Sequence, residues 1–396
     1  MKLAKRMFSF KPSATMAISG KVAQLNGEGK DIISFSVGEP DFDVPDFAKE
    51  AAIKAIRDGH NKYTPVPGND TIKTGVLNYI KNELGLEYEK NQVIVSCGAK
   101  HSLYNISQVL FEEGDEVIIF LPYWVTYPDQ VSLAGAKPVF VNCPFEKEFN
   151  PDLDELKAKI SGKTRAIILN SPNNPSGAVF SGDAIRQIAR IVVENDLILI
   201  SDEVYDKLFY TDEKPLSPAT IDEEVKKRTL MVNGHSKTFS MTGWRIGYTL
   251  GPPEIIGAMT KIQGQSTSNP VTPMQYAAAA ALADLSFMEE RVVEFKARRD
   301  IVAGAMKGLD GVECNVPKGA FYLFPDFSGW VGRSLNGEPI KDSIHLTNLL
   351  IDNARIAPVP GAAFGMENYL RFSYALDRTR LKEGLSRLSE FAASLK

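Results

Sequence analysis

Residues that form disulfides, bind metals or cross membranes are scarce in this sequence. Its 396 residues include three cysteines and four histidines, and their wide spacing excludes a disulfide framework and a cysteine-based zinc site. No apolar run approaches the roughly 18 residues that a membrane-spanning helix needs. We therefore expect no metal site and no membrane partner, and the low cysteine content favours a reducing, cytoplasmic location.

An excess of either charge is also missing. Lysine and arginine together number 45 against 49 aspartates and glutamates, which leaves a formal net charge of −4. Such a balance provides no basic surface for nucleic acid, so we expect a small-molecule partner instead. The length suggests two or three domains that share a large buried core.

Short apolar runs alternate with helical segments through the first two thirds of the chain. The predicted strands are residues 32–37, 93–96, 117–121, 138–141, 166–170, 197–201, 229–232 and 247–250. The predicted helices among them include residues 45–57, 71–84, 102–111 and 184–194. This alternation predicts an α/β fold with a mostly parallel sheet that helices cover on both faces.

The last third of the chain has a different pattern. Residues 254–309 are helical in spacing, and two strands, 319–324 and 369–374, then combine with helices at 344–354 and 380–395. We predict a smaller α+β unit here.

In an open parallel sheet, ligands bind beyond the carboxyl ends of the strands. No G-x-G-x-x-G follows any of these strands and no G-x-S-x-G occurs, which argues against a dinucleotide site and a serine hydrolase.

A lysine and an arginine follow the predicted strand at residues 229–232. The stretch 234–247 reads GHSKTFSMTGWRIG and places Lys237 eight residues before Arg245. A lysine amine can form a Schiff base with an aldehyde, and an arginine can hold a phosphate on the same ligand. Taken alone, each of these residues is more simply an exposed or ion-paired side chain.

Other chemically matched side chains follow the neighbouring strands. Asp202 and Tyr205 come after one strand, and Asn174 lies in a proline-rich turn after another. Residues 98–100 begin a helix whose free N–H groups suit a phosphate, and Trp124 offers a flat ring for stacking. Each could be an ordinary cap or packing residue, and it is their common position at strand ends that indicates a site.

The order of these motifs resembles that of the class I aminotransferases, in particular the prokaryotic-type aspartate aminotransferases, which use pyridoxal 5′-phosphate. The resemblance runs from residues 11–15 (KPSAT) to 371–373 (RFS) and includes GEPDF at 38–42 and NNPSG at 173–177. It implies the fold type I architecture of these transferases, with a seven-stranded sheet. It also implies an N-terminal arm and part of the small domain over 1–45, a large cofactor-binding domain over 46–308 and the C-terminal small domain over 309–396. His235 and Gly234 depart from the usual family pattern.

The resemblance assigns three catalytic residues. Lys237 corresponds to the lysine that binds the cofactor aldehyde and moves the substrate proton. Asp202 corresponds to the acid that keeps the pyridine nitrogen protonated, which makes the ring an electron sink. Tyr205, together with Asn174, corresponds to the pair that hydrogen-bonds the ring oxygen, and Trp124 to the ring that stacks on the cofactor.

The same resemblance assigns the phosphate and substrate contacts. The phosphate-binding residues are Arg245, the amides of Gly98, Ala99 and Lys100, and Tyr63, which would reach the neighbouring subunit and implies a homodimer with shared sites. The substrate-binding residues are Arg371 as the α-carboxylate clamp, Gly38, Trp124 and Asn174, with Lys100, Ser13 and Thr15 for a distal carboxylate.

We therefore expect an aminotransferase that moves the amino group of aspartate to 2-oxoglutarate, with amino acids and 2-oxo acids as its small-molecule partners. A prephenate or aromatic aminotransferase of the same subgroup is the alternative. A lyase or cyclopropane-forming synthase on this fold is a further possibility. A ligand-sensing regulator is disfavoured because such proteins carry a DNA-binding domain ahead of the core, and the family motifs here begin at residue 11.

Overall fold

The computed structural model describes residues 2–8 and 14–396. Its α-helices are α1 Ala14–Gly27, α2 Asp46–Arg57, α3 Asp70–Leu84, α4 Ala99–Leu110, α5 Thr126–Leu133, α6 Leu153–Lys159, α7 Gly182–Glu194, α8 Glu223–Arg228, α9 Pro253–Ser266, α10 Thr272–Leu282, α11 Met288–Lys307, α12 Ser343–Leu349 and α13 Arg378–Ser394. Its strands are β1 Ile33–Ser34, β2 Val93–Ser96, β3 Glu116–Leu121, β4 Lys137–Asn142, β5 Thr164–Asn170, β6 Ile198–Asp202, β7 Thr229–Gly234, β8 Gly247–Leu250, β9 Tyr322–Leu323, β10 Ser334–Leu335, β11 Glu338–Pro339, β12 Ile356–Ala357, β13 Val359–Pro360 and β14 Leu370–Ser373. None of the helices in these ranges has the length and apolar character needed to span a membrane.

A seven-stranded sheet forms the centre of the molecule. Its strand order is β2-β8-β7-β6-β5-β3-β4, and β8 alone runs antiparallel to its neighbours β2 and β7. The seven strands predicted between residues 93 and 250 all enter this sheet, within two residues of the predicted bounds. Every residue of β2, β7 and β8 is buried, as expected for a sheet covered on both faces. The predicted fold class is therefore confirmed.

The predicted strand at residues 32–37 lies outside this sheet. Only Ile33–Ser34 is extended and paired, parallel to Ile356–Ala357 of the C-terminal region. The reason is packing: Ile33 and Phe35 are buried in the C-terminal core, where the Phe35 ring meets the Phe372 ring edge-on at 5.2 Å. A β-branched run predicts an extended backbone but does not select the strand it pairs with.

The C-terminal region is a smaller unit of strands and helices. Strands β13, β14 and β9 form an antiparallel sheet. Of the predicted strand 319–324, only the two residues of β9 belong to this sheet. The predicted helix at 344–354 is α12 followed by a π-helical turn over Leu350–Ala354. Helix α11 contributes Phe295, Val302 and Met306 to the core of this same unit, although the predicted division assigns residues 288–307 to the large domain.

Candidate active site

A cavity of about 550 Å³ lies at the carboxyl ends of the parallel strands. Its walls come from α1, the segment around residues 36–39, the strand ends and the C-terminal unit. The sequence-predicted residues that line it are Gly38, Ala99, Lys100, Trp124, Asn174, Asp202, Tyr205, Lys237, Arg245 and Arg371. The fold thus collects at one place residues that are more than 330 positions apart in the chain.

Lys237 presents its amine to this cavity. It follows β7 in a tight turn, and its Nζ donates a hydrogen bond to the Gly38 carbonyl oxygen over 2.5 Å. Loss of water around the amine lowers the pKa of Lys237 to about 8, and the charges of Arg371 and Arg245 act in the same direction. A lower pKa leaves more of the amine neutral near pH 7, which is the form that attacks an aldehyde carbon.

Asp202 ends β6 and is buried, and no cationic side chain among the described residues donates a hydrogen bond to it. Its Oδ2 accepts a hydrogen bond of 2.6 Å from the Tyr127 hydroxyl, and its Oδ1 accepts one from the Val204 backbone N–H. Burial raises the pKa of Asp202 to about 6, although these two hydrogen bonds oppose the shift. A carboxylate in this environment is stabilised by a positive charge in the cavity, and a protonated pyridine nitrogen would provide one.

Arg371 lies on β14 and is fully enclosed by the site. Its Nη1 donates to Asn174 Oδ1 over 2.9 Å, and its Nη2 donates to the Ser36 carbonyl oxygen over 2.7 Å. Within residues 2–8 and 14–396, Nε has no hydrogen-bond partner. Burial lowers the pKa of Arg371. A guanidinium held by neutral groups in a cavity wall favours a carboxylate ligand.

The start of α4 and Arg245 form an anion-binding corner. Gly98 has φ +86°, a backbone conformation that favours glycine, and a Cβ there would lie 2.5 Å from Arg245 Nη2, so a side chain at this position would also displace the guanidinium. Arg245 donates to the carbonyl oxygens of Thr242 and Cys97. No described residue accepts a hydrogen bond from the N–H of Ala99 or Lys100, whereas the Gly98 N–H donates to Ser96. Two free amides at a helix start beside an arginine suit a phosphate group.

Two tyrosines of the site were missed by the sequence analysis. Tyr127 bonds to Asp202 from α5, three residues after Trp124, and that helical spacing is a signal that could have indicated it. The hydroxyl of Tyr322 lies 2.9 Å from that of Tyr205, and its ring lies 4.6 Å from the Arg371 guanidinium. Nothing in the local sequence indicates that Tyr322 faces the cavity.

Four predicted residues are not seen at the cavity, and Gly98 of the anion-binding corner is one of them. Tyr63 is 88% exposed and lies away from it. Ser13 lies outside the described residues, and Thr15 is the second residue of α1, without a described side chain. Lys100 does line the cavity, with its Nζ 4.9 Å from the Trp124 ring centre, and burial lowers the pKa of its amine.

The chain is similar to known aminotransferases over nearly its full length. The family model described as "Aminotransferase class I and II" matches residues 30–388. An aspartate aminotransferase of Bacillus subtilis is 40% identical over 392 residues, 99% of each chain. A probable aspartate/prephenate aminotransferase of Aquifex aeolicus is 41% identical over 391 residues, 98% of each chain.

Solved structures show the same similarity in three dimensions. The aspartate aminotransferase of Rhizobium meliloti has a TM-score of 0.97 and 38% identity, with all of both chains covered. The Thermus thermophilus aspartate aminotransferase with maleate has a TM-score of 0.93 and 37% identity, covering 98% of this chain and 99% of that one.

Enzymes of this family use pyridoxal 5′-phosphate, and the residues present fit it. The site offers a lysine of lowered pKa for the aldehyde, a buried carboxylate for the ring nitrogen and an anion-binding corner for the phosphate. Sequence, fold and site chemistry agree that the chain belongs to the class I and II aminotransferases.

Proposed function

We propose that this protein transfers the amino group of aspartate to 2-oxoglutarate and so forms oxaloacetate and glutamate. The observation that carries the proposal is that two cationic side chains, Arg371 and Lys100, line the same cavity as Lys237. A dicarboxylate needs one cation for its α-carboxylate and a second for its distal carboxylate. The names of the relatives from Bacillus subtilis and Rhizobium meliloti support the same substrate.

We propose the following roles at the reacting end of the cavity. Pyridoxal 5′-phosphate, when bound, supplies an aldehyde and a ring that accepts electrons. The Lys237 amine would hold the aldehyde carbon, whose oxygen leaves as water. Once the substrate amine has displaced it, the same amine would take the proton from the substrate Cα as a general base. The Asp202 carboxylate holds a proton on the ring nitrogen, while Asn174 and Tyr205 hydrogen-bond the ring oxygen. Trp124 covers one face of the ring and excludes water from it.

We propose that Arg371 holds the α-carboxylate of every substrate, with the Gly38 backbone beside it. Lys100 selects for a distal carboxylate because its amine lies in the cavity wall next to the Trp124 ring. Ser13 and Thr15 remain predicted contacts for the same carboxylate. Arg245 and the free amides of Ala99 and Lys100 bind the phosphate, whereas the Gly98 amide, which the sequence predicted as a third donor, is already bonded to the Ser96 carbonyl oxygen.

We also propose a cytoplasmic homodimer that shares its active sites. Tyr63 and Val271 are 88% and 57% exposed, and they line one shallow surface depression. Tyrosine is enriched at subunit interfaces relative to the rest of the surface, so the exposure of Tyr63 supports a contact here. Light scattering during gel filtration should give twice the chain mass.

The predicted division at residues 45 and 308 remains a proposal, for which limited proteolysis is the test.

A second candidate substrate is prephenate or an aromatic amino acid. Met16 and Val37 line the cavity and are 71% and 38% exposed, so an apolar ring could rest against them. The name of the Aquifex aeolicus relative includes prephenate. A comparison of the half-reaction rates of the two substrate classes decides between these candidates.

The experiment measures half-reactions of the purified holoenzyme by its visible absorption. Aspartate, glutamate, alanine, phenylalanine and arogenate (the amino form of prephenate) are mixed with it separately, and the loss of the absorption band is followed. We expect aspartate and glutamate to react fastest, and oxaloacetate to form when 2-oxoglutarate is added. Equal rates for alanine and aspartate would refute the dicarboxylate assignment, and a faster reaction with arogenate would favour the second candidate.

A further inference from the structure

A fully buried glutamine, Gln263, lies near the end of α9, and its side chain bonds to residues next to the anion-binding corner. Its Oε1 accepts hydrogen bonds from Ser96 Oγ over 2.7 Å and from Asn105 Nδ2 over 3.1 Å. Its Nε2 donates to the carbonyl oxygens of Val66 over 2.8 Å and Val95 over 2.9 Å. Both donors and both acceptor positions of this amide are therefore used.

These four hydrogen bonds join parts of the chain that meet at the anion-binding corner. Ser96 and Val95 end β2, two and three residues before Gly98. Asn105 lies on α4, whose first amides face the cavity. A single side chain thus sets the position of α4 relative to the strand that precedes it.

The fourth contact reaches the segment that carries Tyr63. Val66 is three residues from Tyr63, and a second buried glutamine, Gln275, holds both sides of the same segment. Gln275 accepts from the Asn69 N–H over 2.8 Å and donates to Thr64 Oγ1 over 3.1 Å. The buried side-chain amides of Gln263 and Gln275 therefore hold the segment 64–69 in place, although the neighbouring Tyr63 is exposed.

We propose that Gln263 is a positioning residue for the phosphate of the cofactor. It acts through the start of α4, whose Ala99 and Lys100 amides must point together at one anion. Only an amide can serve two donors and two carbonyl oxygens at once. A methionine of similar size would leave four polar groups unpaired, three of them buried, and α4 would no longer be preorganised for the phosphate. This inference rests on the cofactor-binding roles proposed above.

The test compares the affinity of the apoprotein for pyridoxal 5′-phosphate and for pyridoxal, which lacks the phosphate. Tryptophan fluorescence quenching gives both dissociation constants. For Q263M we expect the constant for pyridoxal 5′-phosphate to rise at least about tenfold, while that for pyridoxal stays unchanged. Q265M is the matched control, because Gln265 is exposed on the same helix, and it should match the wild type for both ligands.

A merely structural role would weaken both ligands equally or neither of them, and either result with folded Q263M would overturn the proposal. If Q263M does not fold, S96A decides the matter, because it removes one of the four hydrogen bonds. A rise of about threefold confined to the phosphate ligand would support the role, and no rise would overturn it. Failure of the proposed function is distinguishable, since the wild type would then bind neither ligand or would bind without transaminating aspartate.

Discussion

Arg371 donates a hydrogen bond to Asn174 Oδ1 across 2.9 Å, which joins the proposed carboxylate clamp to the proposed contact of the cofactor ring oxygen. Asn174→Ala should raise the pKa at which the visible absorption band of the holoenzyme titrates, because the ring oxygen loses a donor that stabilises its negative charge. It should also weaken binding of every amino acid, since Arg371 loses a partner that orients it. A pH titration of the absorption spectrum checks the first effect, and an unchanged titration would separate Asn174 from the ring.

Lys237→Ala should abolish turnover, because both the covalent attachment point and the proton-transfer base are removed. In the wild type, borohydride reduction followed by peptide mapping should place the cofactor on Lys237. Lys261→Ala is the control, since Lys261 is exposed on α9 and should leave rate and labelling unchanged. Labelling at a different lysine would overturn the assignment.

Asp202→Asn should fold normally and lose several orders of magnitude in rate. The neutral amide cannot hold the ring nitrogen in its protonated form, so the electron sink is weakened. Tyr127, which donates to Asp202, should retain its hydrogen bond to the amide oxygen. Single-turnover kinetics with aspartate measure the effect, and a loss below about tenfold, or ~1.4 kcal/mol of barrier, would mean that Asp202 does not contact the ring nitrogen.

Lys100→Ala tests the preference for dicarboxylates. Activity toward aspartate and glutamate should fall at least roughly thirtyfold more than activity toward alanine or phenylalanine, because loss of one partner of a partly buried charge pair is costly. Arg371→Ala should instead impair all four substrates. The measurement is the kcat/KM for aspartate and glutamate divided by that for alanine and phenylalanine, in the wild type and in each variant. A uniform loss in Lys100→Ala would show that Lys100 does not bind the distal carboxylate.

The raised pKa of Glu203 predicts that the stability of the protein depends on pH. Glu203 is buried beside Asp202, and burial raises its pKa to about 7 even though it accepts hydrogen bonds from Ser201 and Ser217. The folded protein therefore holds this proton more tightly than the unfolded chain. The free energy of unfolding should fall as the pH rises from 5 to 7 and remain reduced above 7.

Glu203→Gln keeps an acceptor for both serines and cannot ionise. It should remove the part of that fall that Glu203 causes, leave the part that Asp202 causes through its own raised pKa, and stabilise the protein at pH 8 by on the order of 2 kcal/mol. Urea unfolding at pH 5.5 and 8 measures the difference. Glu223→Gln, at an exposed position, is the control, and identical pH profiles for the wild type and Glu203→Gln would refute the prediction.

Much of the architecture was predictable from local pattern. Each of the seven sheet strands is a short apolar run, and a run of this kind favours extended backbone before its partner strand is known. The residues after those strands were predictable for the same reason, because parallel strands bring their carboxyl ends to one edge. Lys237 and Asp202 therefore lie together at the cavity, as their positions in the sequence indicate.

The tertiary structure alone decided which distant residues meet. Tyr322 contacts Tyr205 across 117 positions of chain, and Arg371 contacts Asn174 across 197. The partner of the strand at Ile33 was set by the C-terminal core and not by its own β-branched residues. The pKa of Lys237 likewise depends on how much water the assembled walls exclude. Periodicity and motifs describe neighbours along the chain, whereas burial and long-range contacts exist only once the chain has packed.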